Sequence, residues 1–279
     1  MTDARSQSAI CAVLVAVFPV VSLLAAAQER KEFRYTVGPK AIVSITNNYG
    51  AITVKPSTNN QVVATTVSYS DAVTLENDQR GNRIDLRANS RRQGSNLVDY
   101  TVFVPADAFV SVRSFDGKLH VQGLRGDVIL EGATGTVEVT DIGNAHLHVK
   151  TLSGQVNLTD IRDSHVDVRS VSGNVNIRNV SGLSLEVNSG SGRITYKGDP
   201  GAAGEYRLMS HSGDLEVSIP ASVPVEIKAH SLKGECDEAL LNAGTLPGTG
   251  GSLLLKPGIV IVSRFVLRSF RGKIRVSRP

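Results

Sequence analysis

Three stretches decide the fold: LSGQVNLT at residues 152–159, VSGNVNIR at residues 171–178 and GSGRITYK at residues 190–197. In each stretch a Ser-Gly pair is followed by apolar residues at the second and fourth positions after the glycine. The three glycines are 19 residues apart. A fixed period of roughly 20 residues is typical of stacked repeat architectures.

The same period extends in both directions along the chain. The repeat glycines stand 18, 19, 19, 19, 21, 21 and 38 residues apart, the last interval being two periods, at Gly117, Gly135, Gly154, Gly173, Gly192, Gly213, Gly234 and Gly272. A second alternating series lies between them, for example Leu147/Val149 and Val166/Val168. Strict alternation indicates a strand with one buried face. The sequence therefore predicts an all-β, two-sheet β-solenoid of the β-helix or β-roll type, with coils of about 19 residues.

The corners and the interior follow from this arrangement. Glycine is expected where the chain reverses tightly, often with positive φ, and Asn144, Asp163 and Gly182 are expected at the opposite corners. Stacking predicts one interior column made of Val137, Val156, Val175 and Ile194, with a spacing of about 4.8 Å. A single coil cannot bury these side chains alone, so the coils must stabilise each other.

Length and composition agree with this architecture. The chain has 279 residues, 26 glycines, no tryptophan and 5% aromatic residues, which suits small β-branched interiors and many turns. The formal net charge is +4. No helix or loop carries a dense basic run, so no nucleic-acid partner is expected.

The first residues predict export. Residues 8–24, SAICAVLVAVFPVVSLL, form an apolar run after Arg5, and Ala25–Ala27 offer a cleavage site, so the mature chain is expected to begin near Gln28. The alternative is an uncleaved membrane anchor. After cleavage only Cys236 remains, so no internal disulfide is expected. The expected location is the periplasm, the outer envelope or the extracellular space.

The chain divides into four predicted segments. Residues 1–27 are the signal peptide, and residues 28–112 are an irregular β region with the first coils and a cap. Residues 113–235 are the regular solenoid, and residues 236–279 hold a loop excursion and a final coil. An atypical terminal unit is expected because an exposed end coil offers free backbone edges.

The passage YTVFVPADAFVSV at residues 100–112, then SFDG at 114–117 and the repeated Ser-Gly-x-Val-x-Val units, resembles a bacterial family described as putative adhesins. The resemblance covers residues 32–276. It implies exported β-strand repeats of largely unassigned function, and it brings no catalytic residues with it.

One outward surface carries a candidate metal site. His146 and His165 are expected at equivalent positions of adjacent coils, as are His148 and Asp167, so the four would form a patch with neighbours about 5 Å apart along the stack. Imidazoles and a carboxylate are zinc ligands. The alternative is that His146 simply bonds Asp127 in the coil below.

Two further surface features are predicted. Asn157 over Asn176 is expected to form an amide ladder that steadies the stack. Basic residues cluster near the C-terminus, where they would face anionic lipid headgroups or acidic glycans, or would serve as a charged cap; they are Arg264, Arg268, Arg271, Lys273, Arg275 and Arg278.

No enzyme or cofactor is predicted. The Gly-x-Ser-x-Gly elbow, the calcium-binding nonapeptide and the phosphate-loop motif do not occur in the sequence. We expect an exported adhesin or envelope-associated binding module, with envelope glycans or a surface protein as partner. Membrane association would use an uncleaved N-terminus or the basic C-terminus. A self-assembling scaffold is the alternative, and a carbohydrate-active β-helix enzyme is a third, weaker one.

Overall fold

The structure is a computed structural model that describes residues 28–70, 73–90, 97–237, 250–254 and 262–279, with residues 250–254 described by their backbone alone. The predicted signal peptide, residues 1–27, lies outside these ranges. Every extended regular element in the described ranges is a β-strand, which confirms the all-β class. Within the same ranges there is no helix with the length and apolarity needed to cross a bilayer.

The described strands form two sheets. The first sheet has eleven strands, in spatial order β1 (Glu29–Thr36), β4 (Gln61–Ser68), β7 (Val98–Pro105), β3 (Ile52–Ser57), β9 (Leu119–Gln122), β11 (Val137–Gly143), β13 (Val156–Arg162), β15 (Val175–Val180), β17 (Ile194–Lys197), β19 (Leu215–Ser218) and β23 (Ile274–Ser277). The second sheet has twelve, in the order β21 (Gly250–Leu254), β20 (Val225–Ser231), β22 (Ser263–Ser269), β18 (Glu205–Ser210), β16 (Ser184–Ser189), β14 (His165–Ser170), β12 (His146–Thr151), β10 (Val128–Gly132), β8 (Phe109–Asp116), β2 (Ile42–Tyr49), β6 (Arg83–Ser90) and β5 (Val73–Arg80).

The regular coils run from β8 and β9 to β18 and β19. Each coil places one strand in each sheet, and each strand pairs in parallel with its counterparts in the coils before and after it. The register aligns Val137 with Val156, Val156 with Val175, and Val175 with Ile194, and all four are 0% exposed. This is the predicted two-sheet β-solenoid, and its interior column is the predicted one.

The repeat glycines form a continuous column along one corner, which we call the glycine ladder. In spatial order its members are Gly50, Gly117, Gly135, Gly154, Gly173, Gly192, Gly213, Gly272 and Gly234. From Gly117 onward, a Cβ on any member would overlap the carbonyl oxygen of the glycine one coil before it. Only Gly50 and Gly117 have a positive φ, of 112° and 148°. The predicted reason, a left-handed turn, is therefore wrong for most of the ladder: close approach between coils excludes a side chain.

A hydroxyl group closes most of these corners. Three residues before the glycine stands Ser or Thr, whose side chain is buried and bonds to the glycine backbone. The Gly154 N–H donates to Thr151 Oγ1 at 3.0 Å, and the Gly213 N–H donates to Ser210 Oγ at 2.8 Å. The local pattern Ser/Thr-x-x-Gly thus builds the corner, since the hydroxyl satisfies backbone groups that no strand can reach.

The opposite corners use left-handed residues, as predicted for Asn144 and Asp163, with φ of 51° and 49°. Gly182 was expected to share this conformation, but it is not among the residues with positive φ; its Cβ would instead meet Ser164 of the preceding coil. A second left-handed column escaped the sequence analysis. It consists of Asp141, Asp160 and Asn179, with φ of 53°, 54° and 53°.

The N-terminal strands cover the first regular coil. β2 and β3 form a further coil next to β8 and β9, with Gly50 in the ladder, and β6 and β7 pair in parallel outside them. The outermost strands are antiparallel: β4 pairs with β7, β1 with β4, and β5 with β6. β5, with the sequence VTLENDQR, has only Val73 and Leu75 as apolar residues, and its last five residues are exposed. Its strand conformation comes from pairing with β6.

The C-terminal coil, made of β22 and β23, does not lie at the end of the second sheet, as the order of strands in the chain would suggest. β22 lies between β18 and β20 and pairs in parallel with both, and β23 follows β19. The expected final coil is therefore an inserted coil, and β20 lies outside it. Phe265 explains this position, because its ring stacks on Tyr206 at 4.6 Å between centroids and meets Tyr196 edge-on at 5.2 Å.

Candidate functional site

The outward face of the second sheet brings the predicted metal patch together. The parallel register of β12 and β14 places His146 opposite His165 and His148 opposite Asp167. The two outer imidazole rings are stacked, with centroids 5.0 Å apart and planes 8° from parallel. The alternation and the 19-residue period therefore predicted which four side chains become neighbours.

Each histidine of one strand already faces a carboxylate. His146 Nδ1 lies 3.1 Å from Asp127 Oδ1, and the His146 backbone N–H donates to the same oxygen at 2.9 Å. The backbone N–H of His146, followed by its ring, holds the pKa of the Asp127 carboxyl below its usual range. His148 Nδ1 lies 3.0 Å from Asp167 Oδ2, which Arg169 also approaches at 3.3 Å.

The metal assignment stays a prediction. In the part of the chain that the structure describes, no group of three or more His, Cys, Asp or Glu side chains is placed around a point where it could hold a metal ion. A zinc titration tests the assignment directly. Binding that exceeds that of a His146→Ala, His165→Ala variant would support the site, and equal binding would contradict it.

A concave region at the N-terminal end of the same face was not predicted. We call it the arginine groove, with a volume of about 550 Å³ and a lining of Ile42, Ser44, Thr46, Arg83, Arg87, Asn89, Phe109, Ser111 and Arg113. Its arginines come from β6 and β8, which lie on either side of β2. The charges are positive and the floor carries an apolar pair, Ile42 and Phe109, which are adjacent in the register.

The three arginines differ in their partners. Arg83 makes a two-point contact with Asp85, at 3.0 and 3.1 Å, and this lowers the pKa of the Asp85 carboxyl. Arg113 contacts Glu131 at 2.7 Å. Arg87 is exposed and has no ion-pair or hydrogen-bond partner among the described residues. It is the arginine most available to an anion, because a guanidinium presents a fork that matches carboxylate and phosphate groups.

The sequence held a weak signal for this groove. The strand RIDLRANS alternates buried Ile84 and Leu86 with outward Arg83, Asp85 and Arg87. That pattern marks the arginines as surface residues of one strand. Nothing local places them beside Arg113, because β6 joins the sheet at β2 while the chain then passes through β7 before returning as β8.

The opposite face of the solenoid carries the predicted amide ladder. Asn176 Nδ2 donates to Asn157 Oδ1 at 2.9 Å, and Gln155 Nε2 donates to the same oxygen at 2.8 Å. This confirms the expected contact between the two asparagines, and it gives the residues a role in stacking.

The predicted C-terminal basic residues separate into two groups. Arg264 contacts Glu226 at 2.8 Å, Lys273 contacts Glu235 at 2.8 Å, and Arg275 contacts Glu216 at 3.2 Å. Arg278 donates to the backbone carbonyls of Ala221 and Val223. Within the described residues this leaves Arg268 and Arg271 without a carboxylate partner.

Comparison with known proteins identifies the family. A family model described as Toastrack DUF4097 matches residues 42–243, most of the chain. The chain belongs to this family. The membership agrees with the resemblance in the sequence, and the family's function is unassigned.

Two solved structures to which the chain is similar are distant in sequence. One is a putative adhesin from Bacteroides fragilis NCTC 9343, with 12% identity, a TM-score of 0.49 and coverage of 90% of this chain and 98% of that one. Another is a putative cell adhesion protein from Clostridium sporogenes ATCC 15579, with 10% identity, a TM-score of 0.26 and coverage of 90% and 100%. No curated protein matches the chain.

Proposed function

We propose that this Toastrack-family protein is an exported, non-enzymatic adhesin-like binding module of the cell envelope, and that it holds acidic glycans in the arginine groove. The observation that carries the proposal is the groove itself: three arginines around an apolar floor, on a face that continues as a flat sheet. A linear polymer can lie along such a face, whereas a small ligand needs an enclosed pocket.

The chemistry of the lining fits an acidic sugar chain. The arginine fork pairs with carboxylate or sulfate groups, and Arg87 is unpaired in the described chain. The Phe109 ring and Ile42 offer an apolar surface to the less polar face of a sugar ring, while Ser44, Thr46 and Ser111 supply hydroxyl groups on the same side. One groove thus combines charge, apolar contact and neutral hydrogen bonding.

The edges of the sheets favour a discrete module over a self-assembling scaffold. The N-terminal edges are β1 and β5, with the charged sequences ERKEFRYT and VTLENDQR. Edge strands with many charges resist pairing with a second copy. Size-exclusion chromatography with electron microscopy tests this point: a monomer supports the module, and filaments would support the scaffold.

A glycan array tests the proposed ligand. We expect binding to uronic-acid or sulfated glycans and none to neutral ones. Losing one charged hydrogen bond costs about 1.5–3 kcal/mol, so Arg87→Gln should weaken binding about 10- to 100-fold. The matched control, Arg178→Gln, removes one cation of the other face that has no ion-pair partner among the described residues, and should bind normally. An equal loss of glycan affinity in both variants would show that binding depends on net charge alone, and it would contradict the assignment of the binding site to the groove.

Two further measurements test the remaining parts of the proposal. Incubation of bound glycans followed by product analysis should show intact chains, and cleavage would favour the carbohydrate-active alternative. Fractionation of cells that express the tagged chain should place it outside the cytoplasm. A processed N-terminus near Gln28 would indicate cleavage, and retention of residues 1–27 would indicate an anchor.

A further inference from the structure

A row of residues, most of them exposed and the others half-buried, lies along the corner that carries the glycine ladder. They stand two positions before each ladder glycine from Gly117 onward, and we call them the corner ridge: Phe115, Ala133, Leu152, Val171, Gly190, His211, Phe270 and Leu232. Four of them are among the most exposed large apolar side chains of the described chain, with exposed fractions of 53% for Phe115, 56% for Leu152, 58% for Val171 and 50% for Leu232.

The fold requires these side chains to point outward, but it does not require them to be apolar. At most corners the hydroxyl side chain points inward and the glycine approaches the neighbouring coil, so the two residues between them, of which the ridge residue is the first, point outward. The next position, also outward, holds serine in four consecutive coils, at Ser153, Ser172, Ser191 and Ser212. Polar residues are thus tolerated at this corner, and a row of exposed apolar side chains is typical of an interaction surface.

Cations border the ridge on the second sheet. The residues two positions before the ridge side chains form an outward column that includes Arg113, Lys150, Arg169 and Arg268, with Glu131 as the acidic member. Arg113 and Lys150 share Glu131, at 2.7 and 3.8 Å.

The C-terminal end of the ridge is the most basic part. The Phe270 ring stacks on His211 at 4.9 Å between centroids. Lys233 Nζ lies 5.2 Å and the Arg271 guanidinium carbon 5.7 Å from the same ring. In the described chain, none of Lys233, Arg268 and Arg271 has a carboxylate partner. This end therefore combines Phe270 and Leu232 with three cations that pair with no carboxylate in the described ranges.

We propose that the corner ridge binds an anionic lipid surface. Apolar side chains beside cations on one edge are the features of an interfacial membrane contact, in which the apolar groups enter the boundary between headgroups and acyl chains while Lys and Arg meet the phosphates. Coils stack at about 4.8 Å, so the eight ridge positions span about 34 Å along a single line.

A lipid surface fits this ridge better than a protein partner. The apolar side chains follow one another along a single line one residue wide, rather than forming a broad patch. A protein partner would need a matching pocket for each, whereas a fluid bilayer accommodates them without one. The ridge shares one bordering cation, Arg113, with the lining of the arginine groove, but Lys233, Arg268 and Arg271 at its C-terminal end are not part of that groove.

A single tryptophan reports the contact, because the natural chain has none. Leu152→Trp places it on the ridge. The matched control is Leu183→Trp at the opposite corner, where Leu183 is 62% exposed. Both full-length variants are mixed with vesicles of phosphatidylglycerol and phosphatidylcholine, or of phosphatidylcholine alone, and the emission wavelength and quenching by acrylamide are recorded.

We expect the Trp at position 152 to shift to shorter wavelength and become protected from quencher with the anionic vesicles only, while the Trp at position 183 does not change. Each cation near an anionic surface contributes about a factor of five, so Lys233→Gln, Arg268→Gln and Arg271→Gln together should lower vesicle affinity about 100-fold at low salt. Lys55→Gln, Arg178→Gln and Lys197→Gln serve as the charge-matched control.

The tryptophan reports only on its own surroundings, so a change at position 152 is specific to the ridge. Residues 1–27 are the same in every variant, so their binding to vesicles cannot explain a difference between variants. An unchanged emission at position 152 with anionic vesicles overturns the proposal, even if the protein sediments with them. Equal responses at positions 152 and 183 also overturn it, since they show contact without orientation. Failure here leaves the glycan array unaffected, and failure of the array leaves this result unaffected.

Discussion

Replacing Gly173 by alanine tests whether close coil stacking, rather than turn conformation, requires glycine in the ladder. The φ of Gly173 is outside the left-handed region, so alanine is allowed by the backbone. Its Cβ would lie 2.7 Å from the carbonyl carbon of Gly154, closer still to that oxygen, and 3.1 Å from the carbonyl carbon of Ser153. All of these are backbone atoms, which cannot rotate away as a side chain would.

The expected cost follows from what must move. Overpacking a well-packed interior costs about 1–3 kcal/mol. Opening the corner also strains two hydrogen bonds, from Ser172 N–H to Leu152 O at 2.8 Å and from Ser170 Oγ to Gly173 O at 2.9 Å, at about 1 kcal/mol each. The reduced entropy of the unfolded chain offsets about 0.4–1 kcal/mol. The net expectation is a loss of about 3 kcal/mol in the free energy of unfolding.

Guanidinium unfolding followed by far-ultraviolet circular dichroism measures this loss. Gly38→Ala is the matched control: its φ is also outside the left-handed region, and the nearest atom to its Cβ is Asn82 Oδ1 at 3.5 Å, an ordinary contact. That variant should be neutral or slightly stabilised. If Gly173→Ala is as stable as Gly38→Ala, the coils adjust freely and the steric explanation of the ladder is wrong.

Three other outcomes follow from the interior and from one face. Phe265→Ala should cost about 3–5 kcal/mol of unfolding free energy, because it empties a fully buried ring site; a loss below 1 kcal/mol would contradict its role in holding the inserted coil. Burial raises the pKa of Tyr206 to about 12, so the folded state keeps a proton that the unfolded state loses near pH 10; the contribution of Tyr206 to stability should be constant below pH 10 and then fall by about 1.4 kcal/mol per pH unit up to about 12. Burial raises the pKa of Tyr100 and Tyr196 too and steepens the total slope, so the measure is the reduction of that slope in Tyr206→Phe. Asn176→Leu should cost about 1 kcal/mol through the lost bond to Asn157, and a double-mutant cycle with Asn157→Leu should show the coupling.

Much of the regular stack was predictable because most of its contacts join residues that are one repeat apart in the sequence. A residue and its neighbour in the next coil are one period apart, so the alternation and the 19-residue spacing placed His146 beside His165 and Asn157 beside Asn176. The reason for the glycines was not predictable from one coil. A preference for glycine looks the same whether it comes from a positive φ or from an overlapping carbonyl group, and only the distance between coils separates the two.

The candidate sites also divide into one that was predictable from the repeat and others that depend on the tertiary structure. The histidine patch was predicted from the period, whereas the arginine groove depends on β6 lying beside β2, from which it is separated in the chain by three other strands. The basic C-terminus was visible as composition. Which of its cations are neutralised depends on pairs such as Arg264 with Glu226, 38 residues apart, formed because β22 is inserted next to β20.

The sequence by itself determined the class of fold, the length of the coil, and the interior and exterior columns, because each coil repeats one pattern whose partner is one period away. The tertiary structure alone decided the order of the coils at both ends, the arginine groove and the unpaired cations of the corner ridge. Those features bring together segments whose separation in the chain is not a multiple of the repeat. Any strand of suitable length can make the backbone pairing, and the side-chain contacts select one register. The repeat encodes the stack, and the departures from the repeat place the surfaces that we propose bind glycan and lipid.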